Sequence, residues 1–182
     1  MISRLNPEVK LRDFLAAFPS VPNAVREFEI AFAKEFEAVE AVAFPYGRSA
    51  QWAFLKAVGI ENAEVCMPAY TCSVVAHAVS LSGNTPHFVD IELETYNMQL
   101  ERLAESVGPK TRAIIATHTF GYPQDIEGLQ SIANQASKRF GHKVWLIQDC
   151  AHAFGARWQG KLVNSVGDVA VFGLNLSKLS TS

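Results

Sequence analysis

Residues 63–90 read AEVCMPAYTCSVVAHAVSLSGNTPHFVD. The run AEVCMP is short and apolar, and a small turn follows it. Thr71 to Leu81 then carries apolar residues at helical spacing, Gly83 and Asn84 interrupt the pattern, and TPHFVD opens a second short run. Two strands joined through a helix make a parallel pair, because an antiparallel pair needs only a tight turn.

Outward from this unit the alternation continues in both directions. Towards the C-terminus come a helix near Leu100 to Ser106, the strand TRAIIATH, a helix from Ile126 to Phe140, and the strands HKVWLIQD and DVAVFGL. Towards the N-terminus come a helix from Ser49 to Val58, the strand VEAVAF, and an amphipathic helix that starts at a capping Asn23 and spaces Val25, Phe28, Phe32 and Phe36 along one side. Strands alternating with helices require right-handed crossovers and a mainly parallel sheet covered on both faces. The fold class expected is therefore α/β, a three-layer sandwich. Residues 1–22, with Pro7, Pro19 and Pro22, read as an irregular leader containing one helical turn; residues 23–182 read as a single domain without internal repeat or Gly/Ser linker.

Composition narrows the class of partner. Of 182 residues 49% are hydrophobic and 19% charged, which suits one compact core. A net charge of -2 without a dense Lys/Arg stripe argues against nucleic acid or an anionic membrane. No stretch approaches the roughly 18 uninterrupted apolar residues of a membrane span, so a cytoplasmic protein is expected. Cys66, Cys72 and Cys150 are odd in number and form no CxxC pair. They read as buried thiols, not as a disulfide framework or a thiolate zinc site.

In an open parallel sheet, ligands bind beyond the carboxyl ends of the strands. The residues placed there are Gly47 to Ser49, Pro68 to Cys72, His118, Asp149 to His152, and Asn175 to Lys178. PYGRSAQWAFLKAVG is a turn running into a helix, and its first amides at Gly47, Arg48 and Ser49 form an anion site at the positive end of the helix dipole. It is neither GxGxxG nor GxxxxGK[ST]. Ordinary capping by Ser49, with Gly47 supplying the turn, accounts for the same residues.

VWLIQDCAHAFGA ends a buried strand on Asp149 and places His152 three residues later. A buried carboxylate needs a cationic partner or several hydrogen bonds. A helix-capping Asp with a core His is the plain alternative. A metal reading would add His118, but no closely spaced His pair supports it. Lys178 alone reads as a solvated tail residue. Taken with Asp149 and the anion turn, it completes what pyridoxal 5'-phosphate asks of a protein: an amine, a carboxylate for the pyridinium nitrogen and a phosphate cradle.

From about Phe28 onward the chain resembles the nucleotide-sugar aminotransferases of the DegT/DnrJ/StrS family. The stretches that carry the resemblance are YGRSA, GIENAEVCMPAYTCSVVAHAVSLSGNTPHFVDIELETYNM, TRAIIATHTFGYPQDIEGL and QDCAHAFGARWQGKLVNSVGDVAVFGLNLSK. The resemblance implies the type I aminotransferase fold with pyridoxal phosphate attached to Lys178, the catalytic residue. It further implies that Asp149 pairs with the ring nitrogen, that His152 approaches the phenolic oxygen, and that Gly47, Arg48 and Ser49 hold the phosphate. Three positions depart from the family pattern. Cys72 stands where an aromatic residue stacks on the cofactor, a part Tyr70 can take over; Gly173 replaces a phosphate-binding serine; and Arg48 replaces a threonine, its guanidinium suited to phosphate.

The activity implied is transfer of an amino group, with glutamate as donor, to a nucleotide-linked ketosugar in amino-sugar or polysaccharide biosynthesis by a homodimer. Members run to about twice this length and continue into a small C-terminal domain, so a truncated large domain is expected. Two other readings stand beside it. A sugar dehydratase on the same scaffold carries histidine at the lysine position, against Lys178 here. The other is a catalytically incomplete fragment acting as a cofactor- or partner-binding module.

Overall fold

The computed structural model describes residues 22–174 together with Leu11 and Leu15. The rest of the leader, and the segment Asn175 to Lys178, lie outside the described residues. Seven strands follow in chain order: β1 (Glu64–Pro68), β2 (Thr85–Val89), β3 (Thr111–Thr117), β4 (Trp145–Asp149), β5 (Arg157–Trp158), β6 (Lys161–Leu162) and β7 (Val169–Val171). Five of them form one sheet in the order β2-β1-β3-β4-β7, every pairing parallel, while β5 and β6 make a small antiparallel hairpin. The helices are α1 (Ala24–Glu35), α2 (Gly47–Ala57), α3 (Ser73–Leu81), α4 (Leu100–Ser106) and α5 (Ile126–Phe140). Among the described residues no helix is long and apolar enough to cross a membrane.

The period of two along each strand sorts the sheet into two faces. Val65, Met67, Ala113, Ile115, Ile147 and Val171 pack with Leu55 of α2 and with Val75 and Val79 of α3. Their neighbours in sequence, Cys66, Ile114, Ala116 and Leu146, face the other way and meet Leu103 of α4 and Leu129, Ala133 and Ala136 of α5. Ile114, Ile115, Leu146 and Ile147 are fully buried. Each such side chain stabilises the fold by roughly 1.5–3 kcal/mol relative to an exposed one.

Topology then decides where the sheet can hold a ligand. The β1–α3–β2 crossover steps one way along the sheet, and the chain next returns past β1 to lay down β3. Right-handed crossovers in opposite directions place their helices on opposite faces, which is why α3 covers one face and α4 and α5 the other. The loops leaving β1 and β3 therefore diverge, opening a crevice at the carboxyl ends of those strands. The link from β4 to β7 has no α-helix; the β5/β6 hairpin and one 3-10 turn, Val163–Ser165, occupy it.

Local chemistry explains the element ends. Asp125 caps α5 by accepting from the amides of Glu127 and Gly128 at 3.2 and 3.0 Å, and Gly141 closes the helix at φ 69°. Buried Asn84 accepts from the Ala63 amide and donates to the Ile60 carbonyl and Ser82 hydroxyl, clipping the end of α3 to the starts of β1 and β2.

Two local expectations are corrected. Residues 39–44 are not a strand: Val39 is fully exposed and Val42 exposed, and the segment has no strand partner among the described residues; the Ala43 amide is held instead by the Glu29 carboxylate at 2.8 Å. An extended run without a neighbour leaves its backbone groups to water and side chains. Asn23 precedes α1 but does not cap it through its side chain, because it sits in the left-handed region at φ 62°. The helix is amphipathic as expected. Phe32 meets Phe172 edge-on at 5.1 Å and Phe36 meets it tilted at 4.5 Å, and Phe36 also meets Phe154 at 4.8 Å, anchoring α1 to the segments after β4 and β7.

Candidate functional site

Asp149 is the last residue of β4 and is 4% exposed. Its Oδ1 accepts from the Ala151 amide at 3.1 Å, while Oδ2 lies 3.4 Å from Gln51 Nε2 and 3.5 Å from Thr117 Oγ1. Thr117 spends its one proton on Asp149, so the 3.2 Å contact with Thr71 is a bond that Thr71 donates. Thr71 follows β1 and Thr117 ends β3, so this chain of hydroxyls crosses the crevice and ends on the carboxylate.

Gln51 brings α2 to the same place. It lies on the buried side of the helix one turn after Gly47, and a Cβ at Gly47 would stand 3.6 Å from Cγ1 of Val171, the register partner of Asp149. Gly47 to Ser49 and Asp149 are therefore brought together. The helix N-terminus follows extended Tyr46, which makes no side-chain cap. Ser49 is not the cap: its amide donates to the Tyr46 carbonyl at 3.0 Å. Gly47 is not in the left-handed region. Both halves of the capping reading are thus corrected, and among the described residues the Gly47 and Arg48 amides have no acceptor.

The remaining positions fall as follows. Arg48 is exposed, its guanidinium 4.3 Å from the centre of the Tyr46 ring. A side chain at Gly173 would press on Ala151, with Cβ contacts of 3.3 and 3.4 Å, so the packing leaves little room for a serine there. Cys72 precedes α3 and is exposed, while Tyr70 packs on Tyr96 and Phe120. The His152 ring stacks on Phe120 at 6.2 Å with 4° between planes. Lys178 lies outside the described residues.

His118 belongs to the core. Its Nδ1 accepts from the Gln124 amide at 3.0 Å, which puts the proton on Nε2, donated to Gln148 Oε1 at 3.1 Å. With both nitrogens engaged it is not available as a third metal ligand beside Asp149 and His152. Burial pushes its pKa down to about 4, against a smaller raising effect of the Gln148 bond.

The cysteines divide, correcting the expectation of three buried thiols. Cys66 and Cys150 are buried and Cys72 is exposed. Burial raises Cys66 to about 11, and burial with the charge of Asp149 holds Cys150 well above the usual range. Because the thiolate is the reactive form, a thiol reagent is expected to titrate one cysteine in the native protein and all three after unfolding. Rapid native labelling of more than one would contradict this.

Gln51, Thr117 and Phe120 were not read from the sequence as site residues, and Thr71 entered only within the strand-end run Pro68 to Cys72. Gln51 did carry a signal: it is a polar residue four positions before Leu55 on the buried stripe of α2. The others acquire meaning only from neighbours on separate strands.

A parallel sheet with a switch at β1 and β3, a buried carboxylate at the end of β4 and a helix N-terminus beside it define the class: an open α/β domain with a crevice at the carboxyl ends of its strands. The crystal structure of 3-amino-5-hydroxybenzoic acid synthase shares the fold with a TM-score of 0.77 and 35% identity, over 87% of this chain and 40% of that one. Residues 16–181 match the DegT/DnrJ/EryC1/StrS aminotransferase family, and the chain belongs to it. GDP-perosamine synthase of Escherichia coli O157:H7 is 32% identical over 161 residues, covering 88% of this chain and 43% of that protein. A UDP-N-acetyl-3-dehydro-alpha-D-glucosamine 3-aminotransferase of Acidithiobacillus ferrooxidans (strain ATCC 23270 / DSM 14882 / CIP 104768 / NCIMB 8455) is 36% identical over 115 residues, covering 63% and 30%. The chain spans less than half the length of these curated relatives.

Proposed function

We propose that residues 23–182 are the cofactor-binding large domain of a cytoplasmic, homodimeric pyridoxal-phosphate sugar aminotransferase. It would move an amino group, with glutamate as donor, to a nucleotide-linked ketosugar. The observation that carries the reading is the meeting of buried Asp149 with the uncapped start of α2, tied together by Gln51. The sugar-nucleotide part of the proposal is supported by the named activities of the two curated relatives.

The residues present fit the cofactor. Gln51 Oε1, beside Asp149, is a buried oxygen without a partner among the described residues, and the Gly47 and Arg48 amides await an acceptor. Gly47, Arg48 and Ser49 would hold the phosphate, and Asp149 would keep a proton on the ring nitrogen by favouring the charged pyridinium. His152, oriented by Phe120, would approach the phenolic oxygen. Cys72 would lie beside the ring without stacking on it. Bound there, the cofactor supplies an electron sink for the bond broken at the amino-bearing carbon. Lys178 would anchor it and, as a free amine, take the proton from the amino-bearing carbon in one half-reaction and return one to the corresponding carbon in the other.

The test is covalent capture. Incubation with pyridoxal phosphate followed by borohydride should leave the cofactor irreversibly attached, and peptide mass mapping should place it on Lys178; Lys178→Ala should take up none. Attachment elsewhere, or none, would sink the reading.

A further inference from the structure

Four successive strand ends each present one ring at the same edge of the sheet: Tyr70 after β1, Tyr96 after β2, Phe120 after β3 and His152 after β4. The rings touch in series. Tyr70 lies 5.3 Å from Tyr96 and 6.0 Å from Phe120, Tyr96 lies 6.1 Å from Phe120, and Phe120 stacks on His152. Yet Tyr70, Tyr96 and Phe120 are 46%, 43% and 59% exposed. Large rings gathered in one patch and left to water are unusual for a surface that binds nothing.

The backbone adds a second observation. Tyr96 and Phe120 both occupy the left-handed region, at φ 59° and 54°, where a bulky side chain is strained. Buried Asn97 holds them there: its Oδ1 accepts from the Thr119 amide at 3.0 Å and its Nδ2 donates to the Tyr122 carbonyl at 3.0 Å. The Thr119 hydroxyl donates to the Tyr96 carbonyl at 3.2 Å, closing the brace. The two loops are locked to each other before any ligand arrives, and what the lock presents is ring faces.

We propose that Tyr70, Tyr96 and Phe120 form a preorganised stacking seat for the nucleobase of the nucleotide-linked substrate, with Asn97 as its positioning residue. The inference rests on the proposed function. A sugar reacting beside Asp149 carries its base away from the reacting carbon on a diphosphate, and along the sheet order the ring series runs from His152, three residues after Asp149, through Phe120 and Tyr70 to Tyr96. Aromatic side chains hold bases through their π-faces, whichever base is present.

The experiment titrates GDP and, separately, inorganic pyrophosphate into the 182-residue chain by calorimetry. In Phe120→Gly and Phe120→Leu, GDP is expected to bind roughly 10-fold more weakly, the loss of one stacked ring. Pyrophosphate binding should not change. Phe120→Gly should melt no lower than the parent, since glycine adopts that backbone without strain; a ring serving only stability would show the opposite. Unchanged GDP affinity in both variants overturns the seat. So does an equal loss for pyrophosphate, or a change in sedimentation without a change in GDP binding, which would assign the rings to a second copy of the chain. Loss of the seat with covalent capture on Lys178 intact rejects this inference alone; weakened GDP binding in the variants with no capture on Lys178 rejects the proposed function alone.

Discussion

Asp149→Asn is expected to lower pyridoxal-phosphate affinity and cofactor-dependent amino transfer by roughly 10²–10³-fold, the usual effect of deleting one preorganised electrostatic contact, while leaving the fold intact. The two halves have separate physical causes. Asparagine removes the negative charge that would favour a protonated ring nitrogen, and no other acidic side chain hydrogen-bonds within this cluster of described residues. The shape survives, and so do the bonds to Ala151 and Gln51. Asn keeps an oxygen for the Ala151 amide, and its new N–H group finds an acceptor in Gln51 Oε1, which has none among the described residues and needs only an amide flip to reach it. Asp149→Ala should lose the same function and be less stable, because Gln51 Nε2 and Thr117 Oγ1 would keep their burial and lose their acceptor. Absorbance titration with the cofactor, beside a thermal melt, separates these outcomes. Near-parental affinity in the Asn variant would remove Asp149 from the site.

The second large effect is on stability. His118 is fully buried, with a folded-state pKa near 4 against an ordinary 6.5. Between those values the unfolded chain binds a proton that the folded chain refuses, so acid draws the equilibrium towards unfolding. The stability held in the neutral ring is complete above about pH 6.5, declines as pH falls, and is gone below about pH 4. At 1.36 kcal/mol for each pH unit, the swing is about 3 kcal/mol. His118→Leu should remove that slope. At neutral pH it should also destabilise by roughly 2–4 kcal/mol, because the Gln124 amide and Gln148 Oε1 stay buried without partners. The gap between parent and variant should therefore narrow on acidification. Urea midpoints at about pH 7.5 and about pH 4.5 measure it, and a constant gap would show that the ring titrates as if solvated.

Much of this was readable from the residues because it is a matter of local period. The alternation of Val65 with Cys66, Ile114 with Ile115, and Leu146 with Ile147 states a sheet buried on both faces, and α5 begins and ends where Asp125 and Gly141 say it should. Strand ends carry ligands in such sheets, so Asp149 and His152 are candidates by position; Gly47 to Ser49 are placed there only behind a strand at residues 39–44 that the structure does not have, and Gln51 brings their helix to Asp149 instead. The caps assigned to Asn23 and Ser49 failed on local backbone geometry; two other errors came from the tertiary surroundings. Residues 39–44 have the composition of a strand, but among the described residues the sheet has no neighbour for them. Cys72 looks like Cys66 and Cys150 in sequence, yet the crevice leaves it in water.

What the chain's own order of residues determined is the class of fold and the short list of chemically capable side chains, because the periods of two and 3.6 are properties of a single segment. What only the tertiary structure decided is which of those side chains meet. Gln51 reaches Asp149 from 98 positions away and Thr71 touches Thr117 from 46, while Asn97 locks Tyr96 and Phe120 into a strained pose. Such contacts depend on crossover direction and strand order, and those are chosen by the burial of the whole sheet.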